Sequence, residues 1–181
     1  MKCTSCRKAT LTYSYLEPQL PCSNCPECGG NFLMLSDFLR WKANNHIEAQ
    51  TSQNSITVEA QETTSAMICP KTGGLMTKYK VSKDTEHRLD LSPTINAVWM
   101  DKGEWELLKE SGLANNINSI FTDHWQEDIR AEESADILSA LYQRKFGDKY
   151  QEIKAFRELL DETDFKSQAI AYLMADDPYK P

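Results

Sequence analysis

The chain has 181 residues, an ordinary apolar content of 40%, six cysteines and a formal net charge of −7. The acidic excess lies in residues 121–181, which carry 14 acidic and 8 basic side chains, so this part is a poor surface for phosphate backbones. No 18-residue apolar run and no apolar N-terminal signal region is present, so we expect a cytoplasmic protein with reduced thiols and no membrane partner.

Four cysteines stand in two matched pairs near the start of the chain. Cys3 and Cys6 are separated from Cys25 and Cys28 by eighteen residues, which is the gap expected of a four-cysteine zinc site. Each pair can direct two thiolates at one point, and the glycines that follow Cys28 permit a backbone with φ > 0 and a close approach to the sulfurs. The spacing therefore predicts one closed, tetrahedral, structural Zn²⁺ site.

Cys22 leaves a second assignment open, because the pair Cys22 and Cys25 has an acceptable gap of fifteen residues from Cys6. Pro26 and the glycines after Cys28 favour the Cys25 and Cys28 pair. Cys22 is then either a partly buried thiol or a redox or zinc-exchange ligand.

The residues around the cysteines indicate short strands and one helix. Residues 10–15 alternate and are rich in β-formers, and an apolar strand is expected at 31–35. Ser36 is a plausible N-cap for a helix that runs to about His46. Phe38 and Trp41 lie on one face of this helix and form either a docking patch or a cover over the strands. These elements predict a zinc ribbon over residues 1–46.

The polar stretch 47–66 resembles a solvated linker, with a possible short strand at 56–58. After it the first pattern returns at an offset of 66–67 residues. The Cys69 turn has Thr72 in place of its second cysteine, and the next turn has Ser92 and Ile95 in place of both. We therefore predict a ribbon over residues 67–112 that packs around Ile95, Val98 and Trp99 without metal. Cys69, His87 and Asp90 remain candidate ligands.

At this point the sequence resembles the bacterial transcription-factor zinc-finger family, whose repeat is similar to the zinc ribbon of transcription factor IIB. The first copy carries all four cysteines but has Ser36-Asp37 where the family has Gly-Glu. The second copy keeps one cysteine and the following positions of the motif: Asp90, Pro93, Trp99, Asp101, Gly103 and Glu104. The resemblance covers residues 1–112 and implies a zinc-ribbon fold with a transcription-linked or protein-docking role.

Residues 113–181 are predicted to form a helical domain. A first helix begins at Thr122 or Asp123 and ends at Gly147, and two more follow before Pro178. Apolar residues recur every three or four positions, which predicts a buried stripe. It comprises Ile137, Leu141, Ile153, Phe156, Leu160, Ile170 and Leu173. With the two ribbons, this gives an α+β protein with four parts: 1–46, 47–66, 67–112 and 113–181.

The sequence contains no phosphate loop, nucleophile elbow or His-Glu-x-x-His motif, and four thiolates leave Zn²⁺ no open position. We therefore expect no enzyme but a zinc-binding adaptor or regulatory protein that docks a protein partner. A nucleic-acid-binding regulator is the first alternative, and its modest basic face would consist of Lys2, Arg7, Lys8, Arg40 and Lys42. A thiol or zinc sensor that uses Cys22 is the second.

Overall fold

The computed structural model describes residues 1–45, 60 and 63–179, and it combines antiparallel strands with helices, as the α+β prediction requires. The six strands are β1 (Thr12–Glu17), β2 (Leu20–Asn24), β3 (Asn31–Met34), β4 (Thr77–Lys80), β5 (Arg88–Ser92) and β6 (Ala97–Met100). The α-helices of these residues are α1 (Leu35–Lys42), α2 (Glu104–Glu110), α3 (Ile117–Ile120), α4 (Asp123–Phe146), α5 (Tyr150–Asp161) and α6 (Lys166–Met174). The predicted strand at 56–58 and most of the predicted linker lie outside the described residues.

The strands form one sheet in the order β1-β2-β3-β6-β5-β4, so each repeat supplies one half. The halves join where β3 pairs antiparallel with β6, with Phe32 opposite Trp99 and Leu33 opposite Val98. All four residues of β6 are apolar and buried, and in β3 the apolar residues Phe32 and Leu33 are buried. The two repeats, predicted as separate ribbons, therefore share one sheet.

The inner strand pairs of the two halves, β2 with β3 and β5 with β6, have the same register. Ser23 lies opposite Phe32 in the first half, and Asp90 lies opposite Trp99 in the second, an offset of 67 on both strands. Phe32 and Trp99 are equivalent positions of the two repeats and lie opposite each other. A local two-fold axis therefore passes between them. The sequence repeat is therefore a structural repeat.

Four equivalent turns precede or join the strands. The fifth residue of each turn has a left-handed backbone, with φ of 57° at Arg7, 74° at Gly29, 72° at Gly73 and 49° at Asn96. The backbone N–H of Cys25 donates to Gly30 O at 2.8 Å, and the N–H of Cys69 donates to Gly74 O at the same distance. Since the turn geometry persists where cysteines are missing, it does not depend on a full set of thiols.

Helices α1 and α2 cover one face of the sheet. Leu33 and Val98 lie on this face, and the buried side chains Phe38 and Trp41 of α1 and Trp105 of α2 pack in the same core. Phe38 and Trp41 were predicted to form either a docking patch or a cover over the strands. In the structure they are buried and cover the strands. Helix α1 begins at Leu35 and has Met34, not Ser36, at its N-cap, because the chain passes directly from β3 into the helix.

The chain divides into two compact units, residues 1–132 and 133–181. The predicted boundary fell after residue 112, whereas the structure assigns residues 113–132 to the sheet unit. The physical reason is burial: Ile117 and Ile120 are fully buried in the core that also holds Trp105. Trp125 of α4 packs against the same core, and its Nε1 donates to Val81 O at 3.0 Å.

The helices of the second unit occur near the predicted positions, but the predicted buried stripe is wrong. Among residues 133–179, only Leu160 is buried. Ile137 is 70% exposed, and Ile153, Phe156, Ile170 and Leu173 are all exposed as well. The periodicity correctly indicated helices with an apolar face, but periodicity does not state what covers that face. No helix in the described part of the chain is long and apolar enough to cross a membrane.

Candidate metal centre

The structure brings Cys3, Cys6, Cys25 and Cys28 together, with their sulfurs all within 4.8 Å of one another. The Sγ atoms of Cys3 and Cys28 are 3.6 Å apart, and so are those of Cys6 and Cys25. Thiolates at about 2.3 Å from a metal form a tetrahedron with edges of about 3.8 Å. All six cysteines are free of disulfides. The cluster therefore has the donor set and the dimensions of a four-thiolate metal site.

The surroundings act differently on the individual thiols. Backbone N–H groups of Lys8 and Ala9 donate to the Cys6 sulfur and lower its pKa to about 6. Burial raises the pKa of Cys3 and of Cys28 above the usual range of a thiol. Burying several thiolates together is costly unless a cation compensates their charge, so this arrangement suits a bound metal ion.

Cys22 lies outside the cluster. Its thiol contacts the Asn31 Oδ1 at 3.8 Å, and burial raises its pKa to about 11. Such a thiol stays protonated near neutral pH and is a weak nucleophile and metal ligand. Of the two roles predicted for Cys22, the structure favours the buried thiol.

Trp99 of the second repeat forms part of the wall around the cluster. A Cβ built on Gly30 would lie 2.3 Å from the Trp99 Cζ2, so the indole ring rests directly on the turn that carries Cys25 and Cys28. The ring is 1% exposed, and its Nε1 donates to the Asp101 Oδ1 at 2.8 Å. The glycine makes the predicted close approach to sulfur, because the Gly30 N–H donates to the Cys28 sulfur, and its lack of a Cβ also lets this tryptophan pack on the turn.

The equivalent position in the second repeat holds no thiolate cluster. Hydroxyl groups of Ser92 and Thr72 donate to the Cys69 sulfur and lower its pKa, although burial opposes this change. Ser92 is 1% exposed, and Ile95 packs at the edge of the apolar cluster that contains Cys69 and Trp99. Hydroxyl and methyl groups thus fill the space where the first repeat has sulfur atoms.

The other candidate ligands of the second repeat point to different partners. Asp90 forms an ion pair with the Lys78 Nζ at 2.7 Å, and His87 Nδ1 lies 3.9 Å from the Glu104 Oε1. Within the described residues, only the four N-terminal cysteines form a group of metal-ligand side chains. The structure therefore does not assemble Cys69, His87 and Asp90 into a site.

A buried polar network that the sequence did not predict supports the Trp99 wall. Asp101 accepts from Trp99 at Oδ1 and from the Thr63 N–H at Oδ2, the latter at 2.7 Å. Its own backbone N–H donates to the Glu104 Oε2 at 2.7 Å. Glu104 is 2% exposed, and Gly103 before it has a left-handed φ of 89°. These acidic side chains therefore position the tryptophan.

The two outer strands of the sheet differ in how they are covered. The Gln126 side chain of α4 accepts from the Lys80 N–H at 3.3 Å and donates to the Lys80 carbonyl at 2.8 Å, which pairs the edge of β4. Within the described residues, no strand pairs with the outer edge of β1. Tyr13 and Tyr15 of β1 are 70% and 57% exposed, with rings edge to face at 5.2 Å.

Comparisons of the chain with protein-family models, with curated proteins and with solved structures return no match.

Proposed function

We propose that the sheet unit consists of two tandem zinc ribbons, of which the first binds one structural Zn²⁺ through Cys3, Cys6, Cys25 and Cys28. The observation that carries the proposal is the cluster of four sulfurs at tetrahedral spacing. Zinc is the metal that four thiolates of this geometry bind most often, and such a closed set leaves no position for a reacting water. The metal is therefore structural.

The second ribbon acts as a packing partner for the first. It contributes Trp99 to the wall of the metal site and β6 to the centre of the sheet, and its own ligand positions are filled by Thr72, Ser92 and Ile95. We assign no enzymatic activity to either ribbon, because the polar groups buried beside them are engaged in positioning contacts such as Trp99 to Asp101.

The chain functions as an adaptor that docks a protein through the edge of β1. Exposed tyrosines are enriched in protein interfaces, and an open strand edge can accept an extended segment of a partner. Beside the rings lies a shallow cavity of about 440 Å³ lined by Tyr13, Tyr15, Pro18, Gln19 and Pro21. The resemblance to the transcription-factor zinc-finger family favours a partner in the transcription machinery.

Two measurements test the proposed function. Elemental analysis of the purified chain is expected to give one zinc per chain, and a metal-free protein with an intact sheet contradicts the assignment. For docking, the tagged chain is used for affinity capture with quantitative mass spectrometry. Tyr13→Ser with Tyr15→Ser is expected to lose a partner that Leu75→Ser keeps, since Leu75 is similarly exposed at 65% but is not part of strand β1. Equal capture by both variants rules out this edge.

A further inference from the structure

In the second unit, residues 133–181, only Leu160 is buried among the described residues 133–179, so these residues form almost no core of their own. Thirteen of the nineteen large apolar side chains that are exposed in the described chain lie between residues 137 and 179. At roughly 150–250 Å² for a large side chain and with about half of each exposed, they present on the order of 1,000 Å² of surface. A stable interface requires about 800 Å² per partner, so this unit has enough apolar area for one.

A concave part of this surface lies between the end of α4 and α5. It is a cavity of about 480 Å³ whose apolar wall consists of Tyr142, Phe146, Tyr150 and Ile153. The rings of Tyr142 and Phe146 stack with an interplanar angle of 12° and centroids 5.7 Å apart. All of its lining residues belong to the second unit, so the cavity is a property of this unit alone.

The charges beside the cavity identify the occupant. Along α5 the lining residues run Lys154, Arg157, Glu158 and Asp161, two cations followed by two anions. Within α5 they pair loosely, with Lys154 to Glu158 and Arg157 to Asp161 both at 3.9 Å, and Asp161 also forms a close ion pair with Lys166 of α6. This order is self-complementary. If α5 meets a second α5 antiparallel, with the two-fold axis between residues 157 and 158, Arg157 faces Glu158 of the copy and Lys154 faces Asp161.

We infer that the second unit is a homodimerisation module in which the α4–α5 cavity of one chain receives α5 of a second copy. The apolar wall supplies the buried area, and the antiparallel charge order sets the register and direction of the pair. Reading the four charges backwards inverts every sign, and this order places opposite charges face to face across a two-fold axis. The inference concerns only the second unit and does not depend on the zinc site or on the β1 docking surface.

The test uses sedimentation equilibrium of the full chain from micromolar to several hundred micromolar concentration. The wild type is expected to dimerise. Arg157→Glu and Glu158→Arg each place like charges across the axis and are expected to weaken the dimer by at least about tenfold. An equimolar mixture of the two variants restores every opposite pair and is expected to form a heterodimer as tight as the wild-type dimer. Lys145→Glu, which reverses a charge outside the cavity lining, is the control and is expected to leave the dimer unchanged.

Far-ultraviolet circular dichroism monitors the fold of each variant. If either charge variant loses helical signal, Tyr142→Ala replaces it, since this change shortens the apolar wall without altering charge and is expected to weaken the dimer. A wild type that stays monomeric throughout the range overturns the inference and leaves the surface to another occupant. Charge variants that dimerise as tightly as the wild type, or a mixture of them that stays monomeric, also overturn it.

Discussion

Replacing Cys28 by Ser is expected to abolish stoichiometric zinc binding and to unfold the first repeat. The change leaves three thiolates and opens one edge of the cluster, in which the Cys28 sulfur lies 3.6 Å from that of Cys3. Metal binding contributes about 10–16 kcal/mol in small zinc modules, whereas a whole domain is stable by only about 5–15 kcal/mol. Losing most of the metal term therefore exceeds what the rest of the repeat can supply.

The measurement combines zinc content with urea unfolding followed by tryptophan fluorescence. Because β3 pairs with β6, we expect the loss to spread into the second repeat and to expose Trp99 to solvent. Cys22→Ser and Cys69→Ser are matched controls, since these buried cysteines lie outside the cluster, and both variants are expected to keep one zinc. Full zinc content in Cys28→Ser with none in Cys22→Ser shows that the ligand frame is wrong.

The clustering of the four cysteines could be predicted from the sequence because it depends on local geometry. A turn of four residues fixes the direction of both its cysteines, and two such turns at a known gap meet across a short hairpin. The choice between Cys22 and Cys28 was likewise local, since Gly29 supplies the left-handed backbone that the turn requires. Even the second repeat, which keeps only Cys69, could be aligned through its turn and strand residues.

The union of the two repeats was not predicted, because it depends on which strand edges meet. The run Val98-Trp99-Met100 is apolar at every position, which is typical of a strand covered on both faces. That feature indicates a central strand but does not identify β3 as its neighbour. The pairing is explained by the local two-fold axis at Phe32 and Trp99, which becomes visible only when the two halves are placed together.

In the second unit, the bounds of the helices could be predicted from the sequence, but the burial of their apolar faces could not. Its helix bounds followed from caps, Gly147 and apolar spacing, which are all short-range properties. Burial is a long-range property, and a stripe such as Ile137 to Leu173 is equally compatible with a core inside the unit or with a surface that another molecule covers. The exposure of these side chains in the structure decides against the internal core.

Truncation of Trp99 is expected to destabilise the sheet unit by about 3–5 kcal/mol, the usual cost of removing a large aromatic side chain from a core. Trp99 is 1% exposed, lies at the centre of the sheet and donates to the buried carboxylate of Asp101. Trp99→Ala therefore creates a cavity beside the Cys25 turn and leaves that carboxylate without the indole. Urea unfolding of the zinc-loaded protein measures the loss, and a variant as stable as the wild type contradicts the central role of Trp99.

A double-mutant cycle that combines Gly30→Ala with Trp99→Ala separates the contact between these two residues from the general loss of packing. Gly30→Ala is expected to destabilise the wild type, because its new Cβ would lie 2.3 Å from the Trp99 ring, and to cost much less in the Trp99→Ala background, where the ring is gone. Gly74, the equivalent residue of the Cys69 turn, is the matched control. Its added Cβ would meet only the Thr72 Oγ1 at 3.5 Å, so Gly74→Ala is expected to be tolerated in both backgrounds. Strictly additive effects of Gly30→Ala and Trp99→Ala would show that the tryptophan does not rest on the cysteine turn, and the second repeat would then not form the wall of the metal site.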